Sequence, residues 1–555
     1  MGKLENAAVN PVLPSFEQLT LAEQVAQLVV IRTSGHLFDH EIEYPAWEAD
    51  AATLRYCLQE LGVGGVILLG GSAAEVGLRS QQLQAWASLP LLIAADIEEG
   101  IGQRFSGGTW FVPPMALGAI AQQDLPQALA YAEAMGAAIA QEALAIGLNW
   151  LLAPVVDVNN NPANPVINVR AFGAESQVVS QLSTAFIRGA QRHSVLTTAK
   201  HFPGHGDTAQ DSHLALPTLA HTFERLCAVE LPPFEAAIAA GVDAVMTAHL
   251  KLPALDAQYP ATLSPALLSG LLRRDLGFSG LVVTDALIMG GITQQYGPYE
   301  AAVLAIEAGA DILLMPADAE GVIQALCEAV QTGRLSHSRI QASLERLWRA
   351  KLKVAAAYQP SPPSKHAWEH IPPPPVRLEH LGQPSVRQLA SEISQASLVA
   401  SSTRLVPTQP LQNLILVDDW LNCRFLQRPA PAIALPAQLG CSQQILDTQN
   451  SGSVAVATPL PTLLQIFIRG NPFRGSAEIA QLAHTWFTAL LQAQQLRGLV
   501  VYGSPYAFKS FLPQLADIPY CFSYGQMETA QAIALKTLFS PAAFKREGWD
   551  QRFTD

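Results

Sequence analysis

Lys200-His201-Phe202-Pro203-Gly204-His205-Gly206-Asp207-Thr208, followed by Asp211-Ser212-His213, packs three histidines, two aspartates and a lysine into fourteen residues. Ordering so polar a segment is costly, and ionisable side chains concentrate on loops that bind or catalyse. The residues before it, Val195–His201, form an apolar, β-branched run that reads as a strand, so the histidines begin where a strand ends. Two chemistries fit. In one, His201, His205, Asp207, Asp211 and His213 ligate a metal, since imidazole and carboxylate are the usual ligands of hydrolytic zinc or iron. In the other, Asp211 orients His213 as an acid–base dyad, because residues i and i+2 of an extended chain point the same way, and Lys200 and His201 hold a polar substrate. A polar surface loop without function is the remaining alternative.

Outward from this strand, similar apolar runs recur at Gln27–Thr33, Gly65–Leu69, Leu91–Ile97, Asn149–Val158, Ala244–Leu250, Gly280–Leu287 and Asp311–Met315. Ala/Leu/Gln-rich stretches such as Pro126–Ile146 and Gln177–Gln191 separate them and are long enough for helices. Strands that are apolar throughout and alternate with helices imply a parallel sheet covered on both faces. Eight of them in about 320 residues predict an α/β fold of the (β/α)8 type. An open doubly wound sheet is the alternative, but no Gly-x-Gly-x-x-Gly turn follows an early strand. Asp96, Asp157, Lys200, His201, His249 and Asp285 all fall at or just past the C-terminal ends of these strands. In a barrel those ends converge on one face, where active sites sit. His249 reads equally as a pocket residue or a hydrogen-bonded core histidine.

The 555 residues exceed one ordinary core and predict at least two domains. Tyr358–Val376 carries Pro360, Pro362, Pro363 and Pro372 to Pro375 and reads as a stiff linker. The expected division is a catalytic domain over 17–355, a linker over 356–378 and a smaller α/β sandwich over 379–555. In the last, strands are expected at Asn413–Val417, Ser453–Ala457, Leu464–Ile468, Gly498–Tyr502 and Tyr520–Tyr524, with helices near Arg387–Val399, Ala477–Gln494 and Met527–Leu538. A net charge of −13 argues against nucleic acid or an anionic membrane as partner. Cys57, Cys227, Cys327, Cys423, Cys441 and Cys521 lack the spacing of a zinc site or disulfide framework and read as buried thiols. Met1–Phe16 has no apolar signal-peptide core and no run of eighteen apolar residues occurs, so a cytoplasmic location is expected.

The 200–213 segment resembles the signature of glycoside hydrolase family 3, in its β-N-acetylglucosaminidase (β-hexosaminidase) type and two-domain form. Further segments resemble the family in the same order: Leu19 to Gln24, Asp96 to Arg104, Ala153 to Val158, Asn168 to Gly173 and Val282 to Leu287. Together they span most of 17–350, and Ser523-Tyr524-Gly525 is similar to the family's C-terminal half.

By this resemblance Asp285 is the nucleophile, His213 the general acid/base and Asp211 the partner that fixes the histidine's tautomer. Asp285 at an apolar strand end also suits an oxocarbenium-like centre, although Asp there equally caps a helix. A histidine suits proton transfer because its ordinary pKa, about 6.5, lies near neutrality. Asp96, Arg104, Arg170, Lys200 and His201 bind sugar hydroxyls in the family pattern, while His205 and Asp207 shape the loop. The implied reaction is double displacement with retention on a small N-acetylglucosaminide from cell-wall fragments, with no cofactor and no metal. Phosphorolysis, β-glucoside cleavage, metal-dependent hydrolysis and sugar binding without turnover are the alternatives; the oligomeric state is not indicated. One departure stands out: Glu99 replaces the first of two glycines that usually follow Asp-x-Glu, and a positive φ there would make Glu costly.

Overall fold

The computed structural model describes residues 13–209, 216–355, 375–407, 410–449, 460–469 and 477–544. The first half opens with a helix at Leu21–Ala26, where Thr20 and Glu23 form a reciprocal capping box that satisfies two otherwise orphaned backbone donors. Eight strands follow: β1 (Val29–Ser34), β2 (Gly65–Leu69), β3 (Leu92–Ala95), β4 (Trp150–Leu151), β5 (Thr198–Phe202), β6 (Ala244–Thr247), β7 (Leu281–Val283) and β8 (Leu313–Leu314). Each lies within or beside a run expected from sequence. Several are shorter, because the ladder ends where the chain departs to build the loops beyond the strands.

Five strands form a curled parallel sheet in the order β4-β3-β2-β1-β8, and three form a parallel sheet in the order β5-β6-β7. Val30 pairs with Gly65 and Val29 with Leu313, so first and last strands are neighbours. Parallel bridges at Trp150–Leu196 and Val155–Lys200 link the flanks of β4 and β5, and another at Val283–Ile312 links β7 to the start of β8. The helices Leu125–Ala145 and Ser176–Ala190 match the stretches expected at 126–146 and 177–191.

In the second half, β9 (Val399–Ala400), β10 (Gln412–Leu416), β11 (Ser442–Leu446), β12 (Thr462–Ile468), β13 (Leu496–Gly503) and β14 (Tyr520–Ser523) form one sheet, ordered β11-β10-β12-β13-β14-β9. All neighbours are parallel except β14 and β9. Alternation along β10 sends Leu414 and Leu416 to the core shared with the first half, and Ile415 and Val417 to a separate outer core. Both faces are therefore covered, as a sandwich requires. The strand expected at Ser453–Ala457 lies outside the described residues, as does most of the proline-rich segment. β11 was not anticipated: its Ser-Gln-Gln start is polar and half exposed, as befits an edge. Among the cysteines, Cys57, Cys441 and Cys521 are buried, but Cys227 is exposed and Cys327 and Cys423 are partly so, which corrects the expectation for those three. Among the described residues, no helix is long and apolar enough to cross a membrane.

At the opposite end of the strands from residues 203–209, fully buried Asp311 precedes β8 and collects Arg273, Arg339 at 3.4 Å, Arg346 at 3.1 Å, the Ser343 hydroxyl at 2.7 Å and the Val282 amide at 3.0 Å. Removing the anion leaves part-buried guanidinium groups without their common partner. Asp311→Ala is expected to cost about 3–5 kcal/mol of stability, the range for breaking one side of a buried ion pair. Chemical denaturation of the variant checks this, and an unchanged midpoint would contradict it.

Candidate active site

The segment after β3 turns over Asp96 and Glu98, and β5 delivers Lys200 between them. Lys200 is 1% exposed, and its ammonium lies 2.7 Å from Asp96 Oδ1 and 2.7 Å from Glu98 Oε1. Arg170, on the 3-10 turn Asn168–Arg170, donates Nε and Nη2 to the two Glu98 oxygens at 2.9 and 2.7 Å and Nη1 to the Val166 carbonyl. Arg104 donates Nε to the Asp96 carbonyl at 3.0 Å. Burial pushes the Asp96 carboxyl up, but the charges of Lys200 and Arg104 outweigh it and hold the group below its ordinary range. Burial acts likewise on Glu98, and Arg170 with Lys200 holds it well below. Asp96 is the more accessible of the two carboxylates, with about a third of its side chain exposed.

A second cluster is organised by Asp157, just beyond β4. Its Oδ2 meets His201 Nδ1 at 2.8 Å, while Oδ1 accepts the backbone amides of His201 and His205 at 3.1 and 2.7 Å. Desolvation raises the Asp157 carboxyl, and His201 beside it brings the net position below the usual range. His205 is 1% exposed, with Nδ1 2.9 Å from the Thr208 hydroxyl. Burial pushes its imidazole down to about 4, against the pull of Asp157 and Asp285. Asp207 turns away, 3.3 Å from His221 and 3.6 Å from Arg225.

Asp285 stands two residues beyond β7, part-exposed, its Oδ1 accepting the Ala286 amide at 2.8 Å. It does not cap the helix that follows, which begins at Gly290 with Met289 as its cap residue. His249 is fully buried, with one ring nitrogen at the Thr262 hydroxyl and the other at the Ala286 carbonyl. It is the hydrogen-bonded core histidine, bracing the peptide that follows Asp285. A cavity of about 470 Å³ adjoins this strand end, lined in part by Arg32, Trp47, Glu48, Ile288 and Met315.

The structure thus brings Asp96, Arg104, Arg170 and Lys200 together and sets His201 on Asp157, while Asp211 and His213 lie outside the described residues. Of the organising carboxylates, Glu98 was not singled out from sequence, and Asp157 was expected only as a charge at a strand end on this face, without a role. Their signal was present, a second acid two residues past Asp96 and an acid at a strand end, but not which partner each would meet. Nor was the ligand set of the histidine loop realised as a metal cage by its described members. Among the described residues, the one grouping with metal-ligand spacing is His36, Glu41 and Glu75, formed by the loop after β1 and the helix after β2. Glu99 has no positive φ; the left-handed position is Gly100, at φ 94°, where a Cβ would come within 2.6 Å of the Thr109 carbonyl oxygen. The expected cost of Glu at that position is therefore not incurred.

Carboxylates and cations gathered beyond the C-terminal ends of β3 and β5, with a further acid beyond β7, place a polar site on the face of the α/β fold where such enzymes bind substrate. Residues 20–350 match the Glycosyl hydrolase family 3 N terminal domain, and residues 405–540 match the Bacterial Glycosyl hydrolase family 3 C-terminal domain. The chain belongs to glycosyl hydrolase family 3. It is 35% identical over 419 residues to beta-hexosaminidase A of Pseudoalteromonas piscicida, covering 68% of this chain and 67% of that protein. It is similar to the structure of a family 3 beta-N-acetylglucosaminidase from Paenibacillus sp. str. FPU-7, with TM-score 0.76, 31% identity and coverage of 94% and 96%. The structure of the beta-glucoside phosphorylase BglX bound to 2FGlc shares the fold, with TM-score 0.75 at 23% identity and coverage of 94% and 93%.

His205 is expected to contribute to the pH dependence of stability in acid. Below an ordinary histidine pKa of about 6.5, the unfolded chain takes up a proton that folded His205 refuses until about 4, so stability is lost as pH falls through that window. Glu230, raised to about 7 by burial, works the other way, gaining stability as pH falls from about 7 towards its ordinary 4.5. In His205→Asn the first contribution disappears and the second remains. The two contributions oppose each other over this window, so His205→Asn is expected to gain stability relative to the wild type as pH falls from about 6.5 towards 4, with Glu230's gain no longer offset; identical slopes of denaturation midpoint against pH would remove the assignment.

Proposed function

We propose that this enzyme removes terminal non-reducing β-N-acetylglucosamine, with retention, through a covalent glycosyl intermediate on Asp285. The observation that carries the reading is the joint placement of Asp285 at the end of β7 and the Asp96–Glu98–Lys200–Arg170 cluster at the ends of β3 and β5. The β-hexosaminidase and β-N-acetylglucosaminidase named among its relatives support the N-acetyl sugar. The charged cluster suits a polyol, since each hydroxyl both donates and accepts. Asp96 and Lys200 address hydroxyls, with Arg104, Arg170 and His201 completing the sugar site. In the first step an Asp285 oxygen bonds to the anomeric carbon as the glycosidic C–O bond breaks, and His213 gives its proton to the departing oxygen. In the second, a water oxygen bonds to that carbon as the Asp285 ester breaks, and His213 takes the water's proton. Asp211 holds the His213 ring in the tautomer this exchange needs. The steps need no metal or cofactor.

The same reading takes the first domain, 17–355, as a closed eight-stranded barrel; the bridges between β4 and β5 and between β7 and β8 support closure. It takes 379–555 as a sandwich joined by the proline-rich linker. A cytoplasmic role in trimming cell-wall fragments is the biological setting we favour, tested by release of N-acetylglucosamine from muropeptides. Phosphate as acceptor is the second reading, favoured by the phosphorylase of the same fold and by a histidine acid/base, which repels an anion less than a carboxylate does.

Hydrolysis of para-nitrophenyl N-acetyl-β-D-glucosaminide is expected to exceed that of the glucoside. Asp285→Ala is expected to abolish turnover and His213→Ala to lower it by about 10²–10⁴-fold, the usual share of general acid–base catalysis. Turnover only on the glucoside would overturn the specificity, and sugar 1-phosphate formed with inorganic phosphate would replace water as the acceptor.

A further inference from the structure

Glu98 and Glu99 are adjacent, yet they serve opposite sides of one backbone. Glu98 enters the Lys200–Arg170 cluster, whereas Glu99, fully buried, faces the second domain. There Arg469, the residue after β12, grips it with both terminal nitrogens: Nη1 lies 3.0 Å from Oε2, and Nη2 meets Oε1. Trp110 donates its indole N–H to the same Oε2 at 3.0 Å, and the Glu99 amide donates to Gln103 Oε1 at 2.9 Å. The carboxylate is buried but bonded at both oxygens, the arrangement in which a desolvated charge is tolerated.

Other contacts from the second domain reach segments that carry the site. Arg424 donates to the Arg104 carbonyl at 2.9 Å, and Arg104 in turn bonds the Asp96 carbonyl. Asn159, two residues past Asp157, donates to the Tyr506 hydroxyl at 2.9 Å. The second domain is therefore attached to the loops bearing Asp96, Glu98 and Asp157.

We propose that Arg469 is a positioning residue for the sugar site, acting through Glu99 to hold the 96–104 turn in register with Lys200. This rests on the reading of Asp96 and Lys200 as sugar-binding groups. Without Arg469 the buried Glu99 carboxylate has lost its cation, and the turn moves to rehydrate it. Asp96 and Glu98 share that turn and are displaced with it, and displacements near 1 Å at a binding constellation cost about 10²-fold.

The test compares Arg469→Ala, Arg469→Lys and Glu99→Gln/Arg469→Ala by steady-state kinetics, with folding monitored by circular dichroism. Arg469→Ala is expected to raise KM by about 10- to 100-fold with kcat less affected, since the displaced groups hold the sugar before and during reaction. Lysine restores the charge but not the two-pronged geometry, so Arg469→Lys is expected to fall between. The double variant removes the stranded charge as well, and its KM is expected to return towards wild type. If the folded Arg469→Ala variant keeps the wild-type KM, Arg469 only braces the domains and the proposal is wrong. If the double variant is no better than Arg469→Ala, Arg469 acts otherwise than through Glu99 and the proposal is equally wrong. Wild-type turnover is measured first. Failure on the N-acetylglucosaminide alone moves the substrate reading, and the variants are then compared on the glycoside that is turned over.

Discussion

A buried ammonium shared by two carboxylates sets the geometry of the catalytic face. Lys200 has almost no exposure and would be prohibitively costly to bury alone; Asp96 and Glu98, each 2.7 Å away, make it tolerable. The same contacts pin the turn after β3 to the end of β5, and Arg170 adds the segment between β4 and β5 through its paired bonds to Glu98. Three stretches far apart in sequence are thereby fixed to one another by charge.

Asp157 repeats the principle with hydrogen bonds. By accepting the backbone amides of His201 and His205 and bonding the His201 ring, it sets the backbone path of 201–205 before any substrate arrives. His205 completes the anchor as a neutral, buried imidazole on Thr208. Supports of this kind hold the end of the strand in place independently of substrate. His249 does the same service beside Asp285, since its ring bonds the carbonyl of the next residue.

Much of this was legible in the chain. Asp96, Asp157, Lys200 and Asp285 were picked out because a charge at the end of an apolar strand is expensive, and each was found at or beyond such an end. The helices at 125–145 and 176–190 agree with the sequence expectation to within a residue because composition and length are local signals. Glu98, Asp157 and Glu99 were harder to interpret. Each is an acid whose role depends on a partner 44 to 370 residues away, and no local pattern encodes such a pairing. Glu99 was judged by a backbone preference, whereas its place is decided by Arg469 in another domain. His249, ambiguous in sequence, was resolved only by seeing both ring nitrogens bonded.

By itself the sequence determined the alternation of strands and helices, the division into two α/β halves and the set of titratable groups available to the site. These follow from periodicity, composition and the cost of burying charge, which act along the chain. Only the tertiary structure decided which acid meets which base, that Gly100 rather than Glu99 takes the left-handed turn, and that the second domain reaches the turn after β3 through Arg469. Those outcomes depend on distances across the fold, where a charge pair is favourable at about 3 Å and costly when either partner is left buried alone.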